Sequence, residues 1–290
     1  AQFRLRQAYA SIAKEGRIWK IGQAWHPMAA DMPDIFSLEA GSPFGPFNRS
    51  PQVNFEWMTR TSDEWKMGLT AAAIWQMQYQ STGPIGGSVL YMKYGKTPEM
   101  YAAVAYKSKG FLVRAGVDYL SIKPRVFGSV DGRTVKVDDR KNSVLGYVYT
   151  QYSHKNFAVK AKSTFGQGGE HMNLMSGYAK IGENPDGSWE YASLRNSSSW
   201  LSLSYGKKWQ AVLFLGYLKN LGLAEELPTY ISKSDVYFCG NGFSNINQMY
   251  RINPQIIYNI GKMNVGLEYQ WTNVEYGEYY EGKLSKYGLA

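Results

Sequence analysis

The chain has 290 residues, 44% hydrophobic, 15% aromatic and only 19% charged, with a net charge of +9 and a mean hydropathy of −0.38. No run of ~18 or more apolar residues occurs, which argues against a membrane-spanning helix, and the lone cysteine, Cys239, leaves no intrachain disulfide or cysteine-based metal site. Its Lys and Arg residues are scattered rather than clustered, so no nucleic-acid partner is expected.

In chain order, "FRLRQAYASIA" at 3–13 reads as a first strand entering the tight turn "KEGR" at 14–17, with its hairpin partner beyond. A long loop follows at 26–48, and a strand entered at Arg49 leads to the turn "RTSDE" at 60–64. "EWKMGLTAAAIWQMQY" at 64–79 alternates over its whole length. Trp65, Met67, Leu69, Ala71, Ala73, Trp75, Met77 and Tyr79 share one parity, while Lys66, Gly68, Thr70, Ala72, Gln76 and Gln78 share the other, with Ile74 among them. Period two is a strand with one apolar and one polar face. After the turn "KSKG", "FLVRAGVDYL" sets Phe111, Val113, Ala115, Val117 and Tyr119 against Arg114, Gly116 and Asp118. "FAVKAK" opposes Phe157, Val159 and Ala161 to Lys160 and Lys162. "WQAVLFLGY" at 209–217 is apolar on both faces. "YRINPQIIYNI" sets Tyr250, Ile252, Pro254, Ile256, Tyr258 and Ile260 against Arg251, Asn253, Gln255 and Asn259, and "MNVGLEYQW" sets Met263, Val265, Leu267, Tyr269 and Trp271 against Asn264, Gly266, Glu268 and Gln270.

Six tight polar turns therefore recur roughly every 46 to 54 residues, alternating with long irregular stretches at 26–48, 80–97, 122–142, 166–194 and 219–247. Short turns at one end and long loops at the other are the pattern of an outer-membrane β-barrel, whose strands face lipid on one side and water on the other. Backbone groups in lipid must all be paired, so such a sheet closes on itself. A soluble Tyr-rich sandwich explains neither the strand length nor the one-ended turns. The expectation is an all-β, antiparallel transmembrane barrel forming one domain over 1–290, with about 12 strands in this sequence. Because both ends point toward the long-loop side, further strands are expected before Ala1 and after Ala290, giving 14–16 in all, with 16 favoured. Aromatics at the strand ends (Trp65, Trp75, Tyr79, Phe111, Tyr119, Trp209, Tyr217, Tyr269 and Trp271) read as interfacial girdles.

The stretches at 3–28 and 40–57 resemble the DcaP-like branch of Gram-negative porins. The resemblance rests on Arg4, Arg6, Tyr9, Gly22, Gln23, Trp25, Arg49, Gln52 and Val53, covers about 55 residues, and has its nearest flavour in Bacteroidota-type sequences. It implies a 16-stranded barrel in the outer membrane of a Gram-negative bacterium, often trimeric, passing small anionic solutes. The family's N-terminal region and closing strands are not among these residues.

On the inward parity lie Arg4, Arg6, Lys20, Arg49, Lys66, Arg114, Lys160, Lys162 and Arg251, against Glu56, Asp118 and Glu268. Such a surplus favours anions in a narrow lumen, and Arg4, Arg6 and Lys20 form its densest group, where the constriction is expected. Loop 26–48 carries Asp31, Asp34 and Glu39 and could fold inward as a constriction against that wall. Catalysis is not expected. His26, His154 and His171 lie on separate loops and turns without metal-ligand spacing, and no cofactor or metal is implied. Expected partners are outer-membrane lipid, small hydrophilic solutes, and a homotrimer or other outer-membrane proteins. The competing function is structural: a barrel subunit of a larger assembly whose lumen is plugged by bulky inward residues such as Ile74, Tyr101, Phe214 and Leu218.

Overall fold

The computed structural model describes residues 6–37, 41–60, 64–77, 79–225, 233–239, 246–280 and 283–286. Strands β1 (Ala8–Lys14), β2 (Arg17–Trp25), β3 (Arg49–Arg60), β4 (Trp65–Ile74), β5 (Glu99–Ser108) and β6 (Phe111–Ile122) pair in sequence. A loop hairpin, β7 (Phe127–Val130) with β8 (Arg133–Lys136), interrupts them. The wall resumes with β9 (Lys141–His154) and β10 (Phe157–Gln167), then β12 (Trp189–Gly206) after the loop strand β11 (Gly177–Glu183). It continues through β13 (Trp209–Leu223), and after the short β14 (Val236–Phe238) through β15 (Ile246–Ile260). The last span is β16 (Met263–Glu268) with β17 (Trp271–Tyr280), followed by β18 (Lys283–Lys286). With β16 and β17 counted as one span, twelve consecutive wall strands precede β18 among the described residues, every neighbouring pair antiparallel. Among the same residues no ladder joins β1 to the far end of the sheet. No described helix is long and apolar enough to cross a membrane.

Three expected strands are shorter or broken, each for a local reason. β4 stops at Ile74 rather than running to Tyr79. Trp75 still donates to the Pro51 carbonyl, but Pro51 has no N–H to return. Gln76 then turns into the loop, its side-chain amide bonding both the backbone and the hydroxyl of Ser81. The segment at 263–271 breaks between Glu268 and Trp271 because it faces Pro254 of β15, which accepts from Tyr269 and cannot donate back. β1 begins at Ala8, with Arg6 and Gln7 irregular and residues 1–5 outside the described set.

Alternation then decides which face is which. Leu69, Val104, Val117, Val148 and Phe165 point outward and stay exposed, whereas Ala72, Ala103, Tyr147 and Lys162 on the opposite parity are buried. The outer surface is thus a broad apolar belt that water does not stabilise and lipid does. The short turns close tightly: Glu15 and Gly16 both take positive φ (50° and 76°), as a two-residue hairpin twisted with its strands requires. At the opposite end the connections build their own layer. β11 pairs with the upper part of β12 and with β14, over a cluster of Ala179, Ala192, Leu194, Leu223, Phe238 and Cys239. Burial, reinforced by Glu170, pushes the Cys239 thiol up to about 12, so it packs as an inert apolar group.

The two faces make a direct test possible. Leu69→Arg puts a charge on the lipid side and should cost ~2–4 kcal/mol of folding into bilayers, while Thr70→Arg, on the inward parity, should cost far less. Urea titrations of folding into lipid vesicles would measure both, and equal costs would contradict the facing.

Candidate functional site

Loop 26–48 enters the concave side of the sheet and crosses it. His26 caps a 3-10 turn at Pro27–Ala29, its Nδ1 accepting from the Met28 N–H at 3.1 Å. Beyond it Asp31 pairs with Arg114 of β6, and Asp34 with Lys160 of β10 at 2.6 Å. Lys162 of β10 donates to the Met28 and Asp31 carbonyls at 2.7 and 2.6 Å. The loop then reaches the far strands. The Asp34 N–H and carbonyl both bond Ser202 of β12, Phe36 N–H donates to Gln255 of β15, and Ser37 N–H donates to Glu268 of β16. Arg251 of β15 donates to the Ser42 carbonyl at 2.8 Å. This one loop touches β6, β10, β12, β15 and β16, so the wall must curve around it.

Packing completes the attachment. Phe44 is fully buried against Phe214, and a Cβ on Gly216 of β13 would lie 2.5 Å from the Phe44 ring. Gly216→Leu should therefore expel Phe44 and loosen the loop, at an overpacking cost of ~1–3 kcal/mol. Faster swelling of sugar-loaded liposomes would report it; an unchanged rate would mean that Phe44 does not hold the loop.

The other inward residues are placed as follows. Lys20 pairs with Glu56 at 2.8 Å. Arg49 is buried, with its guanidinium 3.8 Å from the centre of the Trp25 ring and its Nε and Nη1 without hydrogen-bond partners among the described residues. Arg6 is exposed and Lys66 half-buried toward the short-turn end. Asp118 is buried, and Glu268 takes Ser37 and Asn253 as donors. Arg4 and Glu39 lie outside the described residues. Of the aromatic set, Trp75, Phe111, Trp209, Tyr217, Tyr269 and Trp271 are exposed and Trp65 and Tyr119 half-exposed, while Tyr79 sits in the loop after β4 with its ring 6.0 Å from Phe47.

A second meeting of side chains carried no sign in the sequence spacing. His26 and His171, from different loops, both place Nε2 2.8 Å from Glu99 Oε1 at the start of β5, and Asp118 Oδ1 of β6 lies 3.7 Å from His26 Nε2. His26, Glu99 and Asp118 form a group able to hold a metal ion. His154, the third histidine, stays exposed beside its tight turn.

Comparison with solved structures places this architecture. The outer-membrane channel DcaP of Acinetobacter baumannii matches 96% of this chain and 70% of its own, at TM-score 0.61 and 14% identity. The fold is that of an outer-membrane β-barrel protein. OmpT of Vibrio cholerae, in its trimer form, matches 99% of this chain and 76% of its own, at TM-score 0.55 and 10% identity. No family model and no curated protein matches the sequence. An outer-membrane barrel fold explains why the polar parity faces inward and why a long loop can occupy the interior without exposing its backbone to lipid.

Proposed function

We propose that the chain is the wall of a porin of the Bacteroidota-type, DcaP-like branch in the outer membrane of a Gram-negative bacterium, and that it passes small hydrophilic anions by passive diffusion. The observation that carries the reading is the inward loop 26–48, seated on the basic residues Arg114, Lys160, Lys162 and Arg251. A loop held by charges at the narrowest part of an aqueous passage sets both its width and its field. Asp31 and Asp34 neutralise part of the basic surplus, while Lys162 donates to the Met28 and Asp31 carbonyls and Arg251 to that of Ser42. Arg6, Arg49 and Lys66 add to the positive side, and low-dielectric walls amplify what remains. The mechanism needs no catalytic group. A single barrel domain, assembled as a trimer, completes the proposal.

Planar-bilayer recording across a KCl gradient tests it: the reversal potential should show anion preference. A cation-preferring pore would overturn the selectivity.

A specific observation favours the second reading. The interior holds an apolar cluster that includes Met28, Phe44, Ile74, Tyr101, Trp200, Phe214 and Leu218. If that packing seals the passage, the barrel serves as a subunit of a larger assembly, and the same recordings should show no conductance.

A further inference from the structure

Glu99 and Asp118 bring two carboxylates into a place that water does not reach, and all four residues of their cluster with His26 and His171 are buried. Hydrogen bonding leaves the cluster incomplete: Glu99 Oε2, Asp118 Oδ1 and His171 Nδ1 have no hydrogen-bond partner among the described residues. Among the described ion pairs, Glu99 and Asp118 face only imidazoles, while Arg114 is engaged with Asp31 and Lys141 faces Glu170. Buried carboxylate oxygens left unpaired are strongly unfavourable, and a bound cation would pair them.

We propose that His26, Glu99, Asp118 and His171 form a binding site for a divalent transition-metal ion of the zinc class. The donor atoms of His26, Glu99 and Asp118 lie within 4.8 Å of one another, with His26 Nε2 2.8 Å from Glu99 Oε1 and 3.7 Å from Asp118 Oδ1, on either side of the ~3.4 Å that bonds of about 2.0–2.2 Å to one tetrahedral ion demand. His171 Nε2, 2.8 Å from Glu99 Oε1, lies outside that trio and completes the set by a shift of its ring. Two imidazoles with two carboxylates suit zinc-like ions rather than calcium or magnesium, which take all-oxygen shells. Four protein donors without solvent access make a closed structural site, not a catalytic one. Ligation through His26 Nε2 moves that ring's proton to Nδ1 and gives up the Met28 hydrogen bond, a single neutral bond set against pairing a dication with two carboxylates. The ligands come from loop 26–48, from the loop carrying His171 and from strands β5 and β6, so the ion rivets the entry of the constriction loop to the wall. This goes beyond the porin reading and stands whether or not the pore conducts.

The test is Co2+ titration of the detergent-solubilised, chelator-stripped protein. The wild type should take up one equivalent with the strong visible bands of a four-coordinate ion, Zn2+ should displace it, and Zn2+ should raise the thermal unfolding midpoint. Asp118→Asn and His171→Gln should each weaken binding by about tenfold or more, while His154→Gln, on the exposed turn, should leave it unchanged. The wild-type spectrum decides even if a variant fails to fold. A wild type without four-coordinate bands, or undiminished binding in a well-folded His171→Gln protein, overturns the site.

Discussion

Asp31→Asn combined with Asp34→Asn should convert the channel to a wider, noisier one. Each aspartate holds loop 26–48 to a different strand through a cation that is itself mostly sheltered: the Arg114 side chain is 21% exposed and that of Lys160 20%. Exposed ion pairs are worth ~0–1 kcal/mol and breaking a buried one costs ~3–5. These intermediate pairs together should contribute about 2 kcal/mol to the seated loop, by interpolation between those limits. Removing that amount shifts the seated-to-released ratio by more than about tenfold, since ~1.4 kcal/mol is a factor of ten. Single-channel recordings should show larger conductance and frequent transitions between levels. Swapping one pair, Asp34→Lys with Lys160→Glu, keeps the net charge and the attraction and should return the conductance toward wild type. A quiet double-Asn channel of unaltered conductance would mean that packing around Phe44, not charge, seats the loop.

The second large effect is on selectivity. Lys162→Glu with Arg251→Glu should shift the reversal potential toward cations, because it reverses two charges at the two places where the loop's carbonyls meet basic side chains. Low-dielectric surroundings there make the local ion ratio respond more steeply than on an open surface. The shift should be large in dilute KCl and fade near 1 M, where the Debye length is ~3 Å. The same substitutions disturb loop seating, so the informative quantity is the ion preference, which the uncharged pair Lys162→Gln with Arg251→Gln should move only part of the way. An unchanged preference in the Glu variant would place the selectivity elsewhere, with Arg6, Arg49 and Lys66 the next residues to reverse.

The wall was legible because period two is a local property. Leu69 and Thr70 are neighbours in sequence and opposite in facing, and no distant residue is needed to say so. The twelve strands and the alternation of short turns with long loops follow from the same signal. Strand ends were less legible, because they depend on the partner strand: β4 stops where Pro51 has no N–H to offer, and the span after Met263 breaks opposite Pro254.

Destinations, by contrast, belong to the tertiary structure alone. Loop 26–48 shows its acids in the sequence, but only the curvature of the sheet brings Asp31 to Arg114 and Asp34 to Lys160, 83 and 126 residues away along the chain. Spacing gave His26 and His171 nothing in common, yet the inward folding of two separate loops puts both on Glu99. The sequence by itself determined which residues face lipid and which face the interior, since that requires only the pleat of a strand. Which interior charges are spent holding the loop, and which remain to meet an ion, was decided by long-range contacts that no local pattern encodes.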